Sequence, residues 1–545
     1  MLVCLIFKDL LLERAVGMSE VCVELVGKLV GEMLGLSKEE LSPSDNLISL
    51  GLGSLDIMRI AGLLTKNGCN VTFSELVSNP CMASWVNFAR ERSARSSSNG
   101  SPLLGSANYS KGDPFPITSV QHAYMVGRRD GQELGGTACH AYMEFECGSL
   151  DAAKLERAVE LLILRHPMLR ARFSDDGTAR IEDKVTWKGL TTYRVEGAGN
   201  PDSRIEGIRQ ELSHLRFDIE QDDLIDVRLT VVSPKRTIMH INVDLLAADV
   251  LSIQVLLEDL AHLYDGTDLA PIEIDFMEYA RRTGIGEDAR NEDREYWLNR
   301  IDNMPGGPSL PLKAPMESVK RSQFTRMEYL IDSKSWKNFT EKGRQIGVTQ
   351  SMGIAAVYAK ALSRWSEDKK FLLNLPLFNR KPIHPDVDKI VSDFTSLILL
   401  EADCANAISL LELASQMQGR FQQDVAHSSF GAVEVLRELS HRCPNDPKKA
   451  PVVFASNIGT QFISNKVEDV FGPLSKMLAE TPQVLLDHQI YDHKNGLLLA
   501  WDYVSELLDD KIAKQMFEAY CTAVRFYCEN DWSEPFPDLL PPSQR

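Results

Sequence analysis

Asp244–Leu–Leu–Ala–Ala–Asp249–Val–Leu–Ser252 stands at a change of periodicity. Upstream, Thr237 to Val243 (TIMHINV) is β-branched and partly alternating, the pattern of a buried strand. Downstream, Ile253, Leu256, Leu257, Leu260 and Tyr264 fall on one face of a helix. Two carboxylates and a hydroxyl therefore sit where a strand passes into a helix, with apolar residues between them. Carboxylates so close to a core must be hydrogen-bonded, paired or neutralised. On spacing alone, Asp249 caps the helix and Asp244 ends the strand.

Working outward, 545 residues are too many for one core and imply several packed units. A net charge of −18 argues against a general nucleic-acid binder, since phosphate repulsion would have to be overcome locally. The ten cysteines form no CxxC pair and no Cys/His cluster at zinc spacing, so free thiols, a reducing compartment and no metal site are expected. The N-terminal MLVCLIFKDLLLE lacks a basic start and a cleavage site, and no stretch approaches the ~18 apolar residues of a membrane span. A cytoplasmic protein is expected.

After an extension over 1–17, residues 18–92 read as a small helical unit: Leu25, Leu29 and Met33 step by four, Ser54 opens a second helix, and Asn79–Pro80 precedes another. Residues 93–113 turn to Ser, Asn, Gly and Pro, a flexible linker. Strand-like and helical patterns then mix, giving two α/β lobes over 114–305 and 306–545, divided near the Pro/Gly-rich GGPSLPLKAP.

Ser54, in Gly51–Leu–Gly–Ser54–Leu–Asp–Ile–Met–Arg59, could be an ordinary helix cap, or could carry a phosphodiester facing free backbone N–H groups. With DNLISLGLGSLDIMRI and VTFSELVSNPCMASW around it, this unit resembles the carrier domains of nonribosomal peptide and polyketide assembly lines, most of all aryl carriers of siderophore synthetases. The resemblance implies 4'-phosphopantetheine on Ser54, although Gly53 stands where the usual motif has Asp.

Phe115–Pro–Ile–Thr–Ser–Val–Gln121–His–Ala–Tyr124–Met–Val–Gly127–Arg128, taken alone, is a core aromatic and a cap near a Gly turn. It is similar to the opening motif of heterocyclization domains, relatives of condensation domains, and Arg165–His166–Pro–Met–Leu169 resembles their next one; His166 reads as structural. Asp244, Asp249 and Ser252 match the family's DxxxxDxxS, where ordinary condensation domains have HHxxxDG and the second histidine would fall on Leu245. Asn379–Arg380, Ser392–Asp393–Phe394–Thr395 (usually Gly or Ala at 392), Pro451–Val–Val–Phe–Ala455–Ser456–Asn457, Thr481–Pro–Gln483–Val–Leu–Leu–Asp487–His488, Trp501–Asp502 and the terminal LLPPSQR follow in family order.

The resemblance implies a four-helix carrier followed by a two-lobed, V-shaped chloramphenicol-acetyltransferase-like α/β domain. Asp244, Asp249 and Ser252 would hold the tunnel's shape, with Asp249 paired to a basic residue. Ring closure needs a carboxyl to move protons and polar groups to orient an oxygen. Asp487 matches the family's carboxyl; the family's Thr position is Ala455 here, leaving Ser456, Gln483 or Thr481 as substitutes. The implied activity condenses a carrier-bound aryl group, salicyl or 2,3-dihydroxybenzoyl, with carrier-bound cysteine and cyclodehydrates the product to an aryl-thiazoline. Implied partners are a phosphopantetheinyl transferase, an aryl-activating adenylate ligase, and downstream cysteine-loading adenylation and carrier domains. No adenylation pattern is visible, so either the chain continues past Arg545 or separate proteins load it. The alternatives are amide formation without cyclisation, and a non-catalytic docking or recognition domain.

Overall fold

The strand expected before Asp244 runs from Arg236 to Asp244 and is buried on both faces beyond its first residue. The helix after Asp249 spans Val250–Tyr264, with Ile253, Leu256, Leu257 and Leu260 turned into the core. The computed structural model describes residues 23–540 apart from 38–39, 67–68, 70, 72, 96–111, 196–199, 284–286, 379, 382 and 444–447. The extension 1–17, most of the linker 93–113, Asn379 and the terminal PPSQR lie outside the described residues.

In chain order the strands are β1 (Phe115–Pro116), β2 (His140–Cys147), β3 (Ala171–Ser174), β4 (Thr178–Ile181), β5 (Thr191–Arg194), β6 (Ile225–Ser233) and β7 (Arg236–Asp244). The second half adds β8 (Phe324–Asp332), β9 (Lys370–Phe378), β10 (Thr395–Asp403), β11 (Val452–Gln461), β12 (Leu474–Glu480), β13 (Leu486–His493) and β14 (Gly496–Val504). They build a five-stranded sheet ordered β12-β2-β7-β6-β5, a six-stranded sheet ordered β10-β9-β11-β13-β14-β8, and a small sheet β1-β4-β3. Helices Ala152–Arg165 and Val250–Tyr264 cover the first sheet, whose Met239, Ile241 and Val243 join one apolar cluster. Over the second sheet, helix Gln350–Ser363 is buried for nearly its whole length, packed by helices Leu410–Ala426 and Asp510–Glu529.

The lobes are not two contiguous halves. β12, from the C-terminal half, pairs antiparallel with β2, and Val467 and Phe471 of the preceding helix enter the N-lobe's apolar cluster. The expected division at 305/306 therefore misplaces residues 465–480. Strand exchange of this kind is invisible to local pattern, because a strand's own residues do not say which sheet it joins.

The carrier unit has helices over 23–34, Ser54–Lys66, Phe73–Ser78 and Met82–Arg95. Val26, Leu47, Ile57, Ile60, Leu64 and Trp85 form its interior. Helix Phe73–Ser78 packs on helix Leu410–Ala426 of the C-lobe. Seven of the described cysteines are free thiols, but Cys69 is disulfide-bonded, contrary to the expectation of thiols throughout.

Candidate active site

The strand-to-helix corner is an arginine clamp. Arg128 donates from both terminal nitrogens to Asp244 (Nη1–Oδ1 3.2 Å, Nη2–Oδ2 2.6 Å), and both side chains are almost wholly buried. Asp249 caps the helix by accepting from the Ser252 N–H at 2.7 Å, and the expected basic partner is Arg380, whose Nη2 reaches Asp249 Oδ1 at 2.9 Å. Arg380 Nη2 also donates to Ser252 Oγ at 2.8 Å. The cap and the ion pair are thus made by one carboxylate.

The opening motif is tied to this corner. Thr118 and Gln121 form a reciprocal capping box, and Gln121 Nε2 donates to the Leu246 carbonyl at 2.8 Å. At Gly127 a Cβ would stand 2.7 Å from Pro482, so only glycine lets this segment lie against Thr481–Gln483. Gln483 itself has φ 63°, a left-handed conformation costly for a side-chain-bearing residue, and its N–H bonds the carbonyl of Leu134, which also has positive φ.

Between the lobes lies a cavity of about 540 Å³ lined by residues that include Tyr124, Asp393, Thr481, Gln483, Asp487 and Gln489. Asp487 lies on β13 with its side chain 6% exposed. Its Oδ2 accepts from Gln489 Nε2 at 2.6 Å, while Oδ1 has no hydrogen-bond partner. Gln489 is held in turn: its Oε1 accepts from Arg326 Nη2 at 2.9 Å and from the Tyr491 hydroxyl at 2.5 Å. Arg326 is committed to Asp502 through two hydrogen bonds. Burial, helped by the Asp502 charge and opposed by the Gln489 hydrogen bond, pushes the Asp487 carboxyl up to about 7. A carboxyl balanced there can both give and take a proton at neutral pH.

The structure divides the proposed substitutes for the missing threonine. Thr481 and Gln483 line the cavity. Ser456 does not. On β11, Val453, Ala455 and Asn457 face the cavity, and strand alternation turns Ser456 the other way, where its hydroxyl meets Ser351 Oγ at 2.7 Å. Ser456 therefore has no part in the cavity wall. His166 is buried against Asp259 (2.9 Å), as a structural histidine would be, and His488 bonds Tyr520 inside the C-lobe core. Motif reading passed over Gln489 and Tyr124; Gln489's place two residues after Asp487 on a strand puts it on the same face, a signal present in the sequence.

Ser54 opens helix Ser54–Lys66 beside the C-lobe. Gly53 and Asp56 border a crevice of about 40 Å³ with Thr349–Ser351, Ile458 and Gly459. Ile458 follows Asn457 of the cavity wall, so β11 leads from the cavity to the carrier helix. Asp56 Oδ2 accepts from the Gly53 N–H at 2.9 Å, so a first-turn acid persists although Gly53 brings none. Hydrogen bonds across this contact include Ser78 Oγ donating to the Gln422 carbonyl at 3.1 Å and Arg344 Nη1 to the Leu50 carbonyl at 3.3 Å.

Residues 115–529 match the family model for the condensation domain. The chain belongs to the condensation-domain family. Residues 24–89 match the phosphopantetheine attachment site, so a carrier domain precedes the condensation domain. The chain is 34% identical to phenyloxazoline synthase MbtB of Mycobacterium tuberculosis over 536 residues, covering 96% of this chain and 38% of that protein. It is likewise 34% identical to pyochelin synthetase PchE of Pseudomonas aeruginosa, covering 96% of this chain and 36% of that one. The chain thus spans rather more than a third of these relatives. Among solved structures, the cyclization-docking bidomain of the EpoB nonribosomal peptide synthetase from Sorangium cellulosum aligns with a TM-score of 0.70 and 30% identity, covering 77% of this chain and 86% of that one. No described helix is long and apolar enough to cross a membrane.

Proposed function

We propose that this chain is the carrier–heterocyclization segment of a siderophore-type nonribosomal peptide synthetase. It joins an aryl group held at Ser54 to carrier-bound cysteine and closes the product to an aryl-thiazoline. The observation that carries the reading is the Asp487 carboxyl, unpaired on one oxygen, on the wall of a cavity whose β11 side ends at the carrier helix.

The residues around Ser54 fit a phosphopantetheine: the serine begins a helix, a glycine precedes it, and Gly53 and Asp56 border a crevice. When bound, that group supplies a thiol that holds the acyl unit as a thioester. The rest is done by the chain. Docking of the carrier on the C-lobe raises the local concentration of a poor reactant, and the cavity orients it. In ring closure the cysteine thiol adds to the new amide carbonyl, its proton passing to the carbonyl oxygen. Asp487 protonates the resulting hydroxyl, which leaves as water, and the Asp487 carboxylate takes the nitrogen's proton as the C=N bond forms. Gln489 fixes the carboxyl's orientation, and Thr481 and Tyr124 are placed to orient the reacting oxygen in place of the hydroxyl absent at Ala455. The partners this requires are a phosphopantetheinyl transferase, an aryl-activating ligase and cysteine-loading adenylation and carrier domains, all cytoplasmic.

Intact-protein mass spectrometry tests the whole reading after treatment with a transferase, an aryl ligase with salicylate, and a cysteine-loaded carrier. The expected result is modification at Ser54 and a product lighter by one water than the open amide. Accumulation of the open amide alone would make this a condensation enzyme without cyclisation. No turnover at all would leave a docking domain.

A further inference from the structure

The cavity wall holds a second buried carboxyl that ring closure leaves unused. Asp393 follows Ser392, whose backbone is gripped by the strand-to-helix corner. The Ser392 carbonyl accepts from the Asp249 N–H at 3.1 Å and from Ser252 Oγ at 2.7 Å, and its N–H donates to Ser252 Oγ at 3.1 Å. Ser252 thus donates once and accepts twice, with Arg380 as the other donor, which uses the full capacity of a hydroxyl.

Asp393 is 1% exposed. Its Oδ1 accepts from the Thr395 N–H at 3.0 Å, and its Oδ2 has no hydrogen-bond partner. Of the cavity's carboxylates, Asp249 is ion-paired with Arg380 and Glu133 with Lys449, whereas Asp393 and Asp487 form no ion pair among the described residues. Arg380 lies over the neighbouring Phe394 ring, 4.3 Å from its centre, and its terminal nitrogens bond Asp249, Ser252 and backbone carbonyls, while its Nε has no hydrogen-bond partner. Burial and the Asp249 charge push the Asp393 carboxyl up to about 7, against the Thr395 hydrogen bonds. Asp393, Asp487 and Tyr124 all line the cavity.

We propose that Asp393 is the proton acceptor for amide formation and that Asp249 and Ser252 are its positioning residues, so that one cavity runs its two reactions on two carboxyls. This rests on the carrier–heterocyclization reading above. The acceptor amine's lone pair forms the N–C bond at the thioester carbonyl, and the C–S bond breaks. Asp393 takes a proton from the nitrogen and returns it to the departing sulfur, which leaves as a thiol and regenerates the carboxylate.

The test is single turnover of the salicyl-loaded chain with a cysteine-loaded carrier, followed by intact mass. A second arm supplies preformed salicyl-cysteinyl N-acetylcysteamine thioester, which needs ring closure only. In the first arm Asp393→Asn should slow amide formation roughly 10²- to 10⁴-fold and abolish the fall in rate on the acid side of neutrality. In the second arm it should still cyclise the preformed amide, which an unfolded variant cannot do. Ser252→Ala should lower the amide rate and shift its acid limb with cyclisation intact. Wild-type amide rates in Asp393→Asn, or loss of cyclisation in the second arm, would overturn the proposal. A wild-type chain that forms no amide would instead sink the functional reading, and this one with it.

Discussion

Two pairs of aspartates stand within one interlobe region and are held in opposite ways. Asp244 and Asp249 each meet an arginine, Arg128 and Arg380, and serve as struts between segments distant in sequence. Asp487 and Asp393 are bracketed by an amide and a backbone N–H, with burial pushing both to about 7. A cation partner makes a buried carboxylate a fixture; neutral donors leave it able to exchange its proton. Loss of activity on mutating any of the four therefore means different things.

The sharpest way to break this comparison is to remove one strut. Asp249→Ala strands Arg380 in the interior and should cost on the order of 3–5 kcal/mol, read as a lower melting temperature. If instead Asp249→Ala melts like wild type while losing activity, Asp249 belongs with the chemical pair.

Asp487 and Asp393 should behave in the opposite sense, because their raised values have a sign. The unfolded chain ionises these groups near 3.8, the fold only near 7. Their contribution to stability is therefore complete below about 4 and is lost as pH rises through about 7, by a few kcal/mol at most for each group. Asp487→Asn should flatten the stability-versus-pH curve and leave the protein at least as stable as wild type at pH 8. The same variant should accumulate the condensed, uncyclised amide. Full ring formation by Asp487→Asn would remove the carboxyl from the mechanism. The smallest effect belongs to the carrier contact. Arg344→Ala removes a half-exposed hydrogen bond to Leu50 and should weaken docking by under about 1 kcal/mol, seen as carrier amide shifts in NMR without a change in melting.

Much of the site was legible because its parts are local. The strand before Asp244, the helix after Asp249 and the helix opened by Ser54 follow from periodicity and capping, and the need to neutralise Asp249 follows from its apolar neighbours. The identity of its partner did not: Arg380 is 131 residues away and reaches the corner only through the interlobe crossing. Ser456 was misjudged because a motif names residues without their faces, and strand alternation sent its hydroxyl to Ser351. Asp393 was visible within Ser–Asp–Phe–Thr, yet nothing local marks its second oxygen as unpartnered.

By itself, the sequence determined the buried strand before Asp244, the helix after Asp249 and the helix opened by Ser54, since these depend on neighbours a few residues apart. Only the tertiary structure decided that β12 crosses into the N-lobe sheet, that Thr481 and not Ser456 meets the cavity, and that two aspartates are bound by arginine while two are left to titrate. The physical reason is that burial and charge pairing are properties of what surrounds a group in space, and here those surroundings are assembled from chain segments more than a hundred residues apart.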